Sequence, residues 1–417
     1  MSLDFLVHPN GPLHGEVRIS GAKNSVLKLM AATLLAPGRY RLTNVPGIVD
    51  VTLMSELLRS MGSTVVEEAG VLEIETPQET IPEAPYELVA KMRASIVVMG
   101  PLVARMGTAR ICMPGGDDFG QRPIDLHVHG LEDLGVEFSQ EQGYIQLKTS
   151  ELVGAKVELR FPSVGATENI LMAAVLARGT TVIENAAREP EICDLIEFLL
   201  DMGANIRGAG TSSIEVDGVR ELHGADHRVV ADRIESATYL AALSVARGEL
   251  FLRGARAQHM DMLLAKFSEM GMKISPDSHG IAASTAGRLR SVDFSTLPYP
   301  GLATDYKPLL VASLTVAEGT GMVTENLFGD GRFKYVAELE RMGANVQTSE
   351  HHAVVRGVDH LSGARVRAHD IRAGAALVVA ALGAKGDSLI QNGEHIDRGY
   401  TEFAEKLTLL GADVTRV

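Results

Sequence analysis

Gly21-Ala-Lys-Asn-Ser-Val-Leu-Lys-Leu-Met-Ala-Ala-Thr-Leu-Leu35 and Gly165-Ala-Thr-Glu-Asn-Ile-Leu-Met-Ala-Ala-Val-Leu176 read as two copies of one element. Each is a helix that is apolar nearly all round, which marks a helix buried on every side. Each is followed by a glycine, a β-branched strand, a polar turn, a second helix, another glycine and a final short strand. In the first copy Gly38 precedes Tyr40-Arg-Leu-Thr-Asn44, and a second helix from Leu53 to Met61 ends at Gly62. In the third copy Gly179 precedes Thr180-Thr-Val-Ile-Glu-Asn185, and a second helix from Ile192 to Met202 ends at Gly203. The first glycine recurs at Gly38, Gly107, Gly179, Gly248, Gly319 and Gly386, and the second at Gly62, Gly135, Gly203, Gly271, Gly343 and Gly411, in steps of 67 to 73 residues. Glycine after a helix is C-cap chemistry, and two series held in phase six times mark an internal repeat. Each unit reads as βαβαββ. Its second helix carries charges, as in Glu338-Leu-Glu-Arg-Met342, and so belongs at the surface. The expected fold is α/β with buried helices surrounded by sheets, an inside-out layering. Three units make one domain and six make two similar domains, joined near Glu221 to Arg228. A strand at Glu16 to Ser20 is expected to pair in the distal domain.

Composition narrows the function. The 417-residue chain is 46% hydrophobic and 22% charged, with a formal net charge of −14. That balance argues against nucleic acid and against an acidic membrane surface, both of which need a basic face. An anionic small substrate requires local cations instead. There is no Trp and aromatic residues are 5% of the chain, so an aromatic stacking platform is not expected. Two cysteines, Cys112 and Cys193, make no disulfide framework and suit a reducing cytoplasm. The segment Met1 to His8 lacks the basic and apolar regions of a signal peptide. The longest uncharged run, Ala373 to Ala384, is too short to span a bilayer. The expectation is a soluble cytoplasmic protein.

The polar outliers collect at helix starts. At the first helices stand Lys23 and Asn24, Arg93, Thr167 with Glu168, Asp232 with Arg233, Asp305, and Asp370 with Arg372. At the second helices stand Arg122 and Asp125, Arg188 with Glu189 and Glu191, Arg332, and Asp397 with Arg398. In a repeat fold equivalent positions lie on equivalent edges. Helix N-termini with Lys and Arg beside them suit phosphate or carboxylate. The loop Met113-Pro-Gly-Gly-Asp-Asp-Phe-Gly-Gln-Arg-Pro-Ile-Asp-Leu-His127 carries Asp117 and Asp118 among glycines, and Pro123 is expected to open a helix. No Walker A sequence occurs, and no G-x-G-x-x-G follows a strand. Gly329-Asp-Gly331 reads as a turn. His127 and His129 fall in a helical segment without further ligands, so no metal is expected. Cys112 reads as a buried small side chain.

These residues carry a family resemblance. Ile19-Ser-Gly-Ala-Lys-Asn24, Met92-Arg-Ala-Ser95, Pro114-Gly-Gly116 with Gly120, Arg122-Pro-Ile-Asp-Leu-His127, Ser163-Val-Gly-Ala166, Glu184-Asn-Ala-Ala-Arg-Glu-Pro-Glu191, Asp232-Arg-Ile-Glu235, Thr304-Asp305 and His395-Ile-Asp-Arg-Gly-Tyr400 resemble the UDP-N-acetylglucosamine 1-carboxyvinyltransferases, of the enolpyruvyl transferase family. The resemblance covers the whole chain. It implies two three-repeat domains, residues 22–229 in one and residues 1–21 with 230–417 in the other. It implies transfer of the enolpyruvyl group of phosphoenolpyruvate to the 3′-hydroxyl of UDP-N-acetylglucosamine, the first committed step of peptidoglycan synthesis, with no cofactor and no metal. By the same resemblance Lys23, Arg122 and Arg398 hold phosphoenolpyruvate, with Arg93 and Arg372 nearby. Asp305 faces the 3′-hydroxyl as candidate base, and Asn24 contacts the sugar. Arg122, Pro123, Ile124, Asp125 and Leu126 line the uridine diphosphate together with Ser163, Val164 and Gly165. Leu327 closes the sugar side, Asp370 and Arg372 complete the catalytic face, and the loop around Asp117 folds over the nucleotide.

Two departures stand out. Asp117 occupies the place where most members have a loop cysteine, and it keeps the acid role if its carboxyl is protonated in the closed site. Fosfomycin, which alkylates that thiolate, is therefore expected not to inactivate this chain. Phe161 replaces a lysine that often contacts the diphosphate. The alternatives are the sister transferase acting on shikimate 3-phosphate and a catalytically idle UDP-sugar-binding paralogue. Oligomeric state stays open.

Overall fold

A computed structural model describes residues 4–112, 124–328 and 332–417. The chain divides between Ser20 and Gly21 and again between Val230 and Ala231 into two units, the segment before Gly21 belonging with the segment after Val230. The loop at 113–123, with Asp117, Arg122 and Pro123, lies outside the described residues, as does the Gly329-Asp-Gly331 turn.

Six four-stranded sheets are described, three in each unit, and all are wired alike. A short strand pairs parallel with the strand that follows the buried helix, and that strand pairs antiparallel with a partner whose other side takes the strand following the second helix. Lys156–Glu158, Thr180–Glu184, Ser213–Asp217 and Asn205–Arg207 show the pattern. Burial alternates along the central strands, as in Val71–Thr76. One face of each sheet is therefore covered and the other meets water.

The helices that the sheets cover are Lys23–Ala32, Met99–Met106 and Val164–Ala174 in one unit, and Arg233–Ala246, Lys307–Thr315 and Ile371–Leu382 in the other. Every residue of Lys307–Thr315 and of Ile371–Leu382 is buried. A helix with water on no side has no use for a polar stripe, which is why Ala, Leu and Val run all the way round it. The twelve repeat glycines all take positive φ, from 67° at Gly107 to 145° at Gly38. At Gly271, φ 108°, the residue caps Asp261–Met270 in a left-handed conformation that a Cβ disfavours.

The ends of the chain complete the repeats. Phe5–His8 sits between Ser388–Gln391 and Asp413–Arg416, antiparallel to both, and so finishes the sheet of the last repeat. Leu13–Arg18 pairs parallel with Gly248–Arg253; this is the strand expected at Glu16 to Ser20, displaced a few residues toward the N-terminus. Asp226–Arg228 pairs parallel with Gly38–Thr43 and closes the cycle of the other unit. Some boundaries differ from expectation. The second helix of the first repeat runs Val49–Ser60, one turn earlier than Leu53, and that of the third starts at Pro190, where proline suits the first helical position. Helix Asp125–Asp133 begins after Ile124. Arg93 starts and Asp305 lies within short 3-10 segments, Arg93–Val98 and Thr304–Tyr306, that lead into the buried helices.

Candidate active site

In the unit containing residues 231–417, the N-terminal ends of three mutually packed helices carry the polar cluster. Asp232 caps Arg233–Ala246, accepting from the amides of Ile234 at 2.7 Å and Glu235 at 3.0 Å. Asp370 caps Ile371–Leu382, accepting from Arg372 and Ala373, each at 2.8 Å. Both carboxylates thus do ordinary capping work, and that work fixes where Arg233 and Arg372 begin. Arg372 is buried, its Nε 3.3 Å from Asp305 Oδ1 and its guanidinium 5.3 Å from the Tyr400 ring centre. Arg233 Nη1 donates to the Tyr306 hydroxyl at 3.1 Å.

Burial by itself would raise the Asp305 carboxyl. The positive charges of Arg372, Arg233 and Arg332 outweigh it and hold the carboxyl below its ordinary range. Asp305 is therefore ionised at neutral pH, yet its side chain keeps 37% exposure although protein surrounds it on most sides. An ionised, reachable carboxylate set among guanidinium groups can accept a proton from a bound hydroxyl. Arg398 closes the short helix Glu394–Asp397, and Gly399 lets that segment pass close to Ile371, whose Cγ2 would lie 2.6 Å from an added Cβ.

The other unit has its own cluster. Lys23 Nζ lies 2.9 Å from Asp50 Oδ2, with both side chains buried. Lys28 Nζ donates to the Asn24 carbonyl at 2.6 Å and stands 3.4 Å from Glu168 Oε1. Glu168 is fully buried, with Lys28 as its counter-charge. Burial, reinforced by Glu191 and Glu189 against the opposing Lys28 charge, raises its carboxyl to about 7. Arg93 is half-buried, and burial lowers its guanidinium.

His127 is buried, and Asn169 Nδ2 donates to its Nδ1 at 2.8 Å. Burial first, then the Arg93 charge, brings the imidazole down to about 4 against the opposing pull of Asp125. The neutral ring lies against Gly165, where an added Cβ would come within 2.9 Å of its Cε1. Ser163 caps the helix that follows it, accepting weakly from the Ala166 amide at 3.4 Å. Asp125 is paired with Arg160. Asp194, Glu197 and His227 bring ligand atoms near one another. The Asp194 oxygens are, however, already engaged by Ser25, the Val230 amide and His227 Nε2, so the group works as a hydrogen-bond hub.

Comparison with known proteins identifies the lineage. A family model described as EPSP synthase (3-phosphoshikimate 1-carboxyvinyltransferase) matches residues 7–407. UDP-N-acetylglucosamine 1-carboxyvinyltransferase 1 of Caldanaerobacter subterraneus subsp. tengcongensis is 48% identical over 416 residues, 100% of both chains. The chain belongs to the UDP-N-acetylglucosamine 1-carboxyvinyltransferase family. The like-named protein of Mycobacterium tuberculosis is 46% identical over 417 residues, again 100% of both. Among solved structures, the enolpyruvyl transferase NikO from Streptomyces tendae is 26% identical with a TM-score of 0.90, covering 99% of this chain and 98% of that one. EPSP synthase from Acinetobacter baumannii, 17% identical with a TM-score of 0.77 over 99% and 100% of the two chains, shares the fold.

The inside-out α/β architecture expected from the repeats is that of this carboxyvinyltransferase family. Of the site residues named from sequence, Asp305, Asp370 and Arg372 gather in one cluster. Lys23, Asn24, Ile124, Asp125, Leu126, Ser163, Val164 and Gly165 lie at starts of helices in the other unit. Leu327 follows the strand Thr320–Thr324, and its amide donates to Glu325 at 2.9 Å. The sequence reading passed over Asp50, Lys307 and Glu325. Asp50 stands in the first turn of Val49–Ser60, the same edge that yielded the other residues, and that edge was a usable signal. Lys307, the first residue of Lys307–Thr315, stands on the same kind of edge, whereas Glu325, just after the strand Thr320–Thr324, carries no such signal. No described helix is long and apolar enough to cross a membrane.

Proposed function

We propose that this chain transfers the enolpyruvyl group of phosphoenolpyruvate to the 3′-hydroxyl of UDP-N-acetylglucosamine and releases phosphate. The end-to-end likeness to relatives bearing that name, at 46–48% identity, carries the reading. The chemistry needs a proton delivered to C3 of phosphoenolpyruvate, attack of the hydroxyl oxygen on the resulting cationic C2, and loss of the hydroxyl proton to a base. The tetrahedral adduct then loses a proton from the new methyl group and expels phosphate, which restores the enol ether. Cations around phosphate and carboxylate lower each barrier.

Asp305 is the proposed base, supported by its ionised, accessible carboxylate. Lys23, Arg122 and Arg398 are the proposed phosphoenolpyruvate contacts, with Arg93 and Arg372 as further candidate contacts. Asn24 and Leu327 are assigned to the sugar, and Arg122 to Leu126 with Ser163 to Gly165 to the uridine diphosphate. Asp370 holds Arg372 through its amide cap. Asp117 is the proposed proton donor. The substrates are thus two small anions. A phosphate-release assay with phosphoenolpyruvate tests the reading, run with UDP-N-acetylglucosamine, with shikimate 3-phosphate and with no acceptor. Release is expected only with the nucleotide sugar, and Asp305→Asn is expected to lower kcat about 10²-fold or more. Release with shikimate 3-phosphate would move the chain to the sister activity, and nucleotide-sugar binding without turnover would make it a sensor.

A further inference from the structure

Asp305 sits in a three-residue turn, and both of the turn's flanks are tied to one buried carboxylate. Glu325, 1% exposed, accepts at Oε2 from Thr304 Oγ1 at 2.7 Å. The same oxygen lies 2.7 Å from Lys307 Nζ, whose side chain is also 1% exposed. Oε1 accepts from Thr296 Oγ1 at 2.7 Å and from the Leu327 amide at 2.9 Å. The ammonium and Glu325 form a buried ion pair, and the Phe333 ring centre is 4.1 Å from the ammonium.

A buried ion pair adds little net stability over apolar side chains of the same size, because both charges lose water. Its worth lies in geometry. Asp305 stands 3.3 Å from Arg372 Nε, longer than the 2.7–2.9 Å usual for an unrestrained pair of opposite charges. Asp305 thus accepts one long hydrogen bond from Arg372 and keeps its side chain partly exposed. We propose that Lys307 and Glu325 form a positioning pair for the reaction, pinning the backbone on both sides of Asp305 so that its carboxylate faces the acceptor hydroxyl instead of closing on Arg372. The same carboxylate fixes Leu327, so the base and a residue assigned to the sugar share one anchor. This rests on the reading of Asp305 as the base.

The pair also has a pH signature. Burial first, and then Arg332, lowers Lys307 to about 8 against the raising effects of Glu325 and Asp370. These groups, with the buried Tyr335 hydroxyl near Glu325 and Asp370, are the charges and titratable groups that face it. Loss of the Lys307 proton leaves Glu325 without its counter-charge.

The test compares Thr304→Val and the charge-free double variant Lys307→Met/Glu325→Gln with wild type and Asp305→Asn. Folding is checked by circular dichroism, and kcat and KM for both substrates are measured from pH 6 to pH 9. Thr304→Val removes one hydrogen bond and no charge, so it keeps the test alive if the double variant unfolds. Both are expected to lose about 10-fold or more in kcat with KM nearly unchanged, since small misplacements of a reacting group are that costly. Wild-type kcat is expected to decline above about pH 8, and that decline is expected to flatten in the double variant. An inactive Asp305→Asn beside Thr304→Val at wild-type kcat, or beside a double variant with an unmoved alkaline limb, overturns the positioning role alone. Full turnover in Asp305→Asn overturns the reading of the base.

Discussion

Glu168→Gln should change how stability depends on pH, and the size of the change follows from the structure. Glu168 has no exposure, and Lys28 Nζ at 3.4 Å is its counter-charge. Its carboxyl rises from 4.5 to about 7, mainly because burial penalises the charged form. The folded state therefore keeps this proton to higher pH than the unfolded chain does. The resulting stability is fully present below pH 4.5 and is lost as pH climbs through 7. At about 1.36 kcal/mol per pH unit the rise is worth about 3 kcal/mol. A glutamine cannot ionise and has no such loss. Unfolding of both proteins by urea, pH by pH from 4.5 to 8, should show the variant gaining about 3 kcal/mol relative to wild type across that range. The absolute offset depends on how the amide packs beside Lys28, but the pH-dependent part does not. Parallel stability curves would refute the reasoning and would mean that Glu168 is solvated or fully neutralised by Lys28.

His127 gives the opposite sign. Its imidazole falls from 6.5 to about 4 in the folded state, so its contribution is present above pH 6.5 and disappears as pH drops through 4. His127→Gln should flatten that acid limb by up to about 3 kcal/mol in the same unfolding series. Fosfomycin should leave no covalent adduct at position 117, because a carboxylate lacks the thiolate nucleophile; an adduct on that loop in an intact-mass spectrum would contradict this.

Much of the architecture is written locally. The glycines of the second series stand at or one residue past the C-caps of the second helices, as Gly271 does, and that demand recurs wherever a helix ends. In the first series Gly107 caps its helix, whereas Gly38, Gly179, Gly248, Gly319 and Gly386 stand at or just before the strand that follows, a correction to the capping expected there. The buried helices announce themselves by lacking a polar stripe. Asp370 and Asp232 stand where capping chemistry puts them, and Arg372 and Arg233 come next in the chain. Such signals need only neighbours in sequence. Helix starts were less legible. Val49 and Pro190 precede the apolar periodicity that marks the second helices, and the first turn of a helix binds its amides to caps instead of burying side chains.

The sequence by itself determined the repeat, the layering and the edges on which charge collects, because helix capping and apolar periodicity are properties of short stretches. Only the tertiary structure decided which charge meets which. Phe5 lies opposite Ile390 and Arg416, a pairing across nearly the whole chain that no local pattern encodes. Lys307 reads as an unremarkable lysine at a helix start until Glu325 is found 2.7 Å away. Lys23 reads as an available cation until Asp50 is seen beside it. Partner choice is set by distance and by exclusion of water, and both arise only once the sheets have closed around the helices.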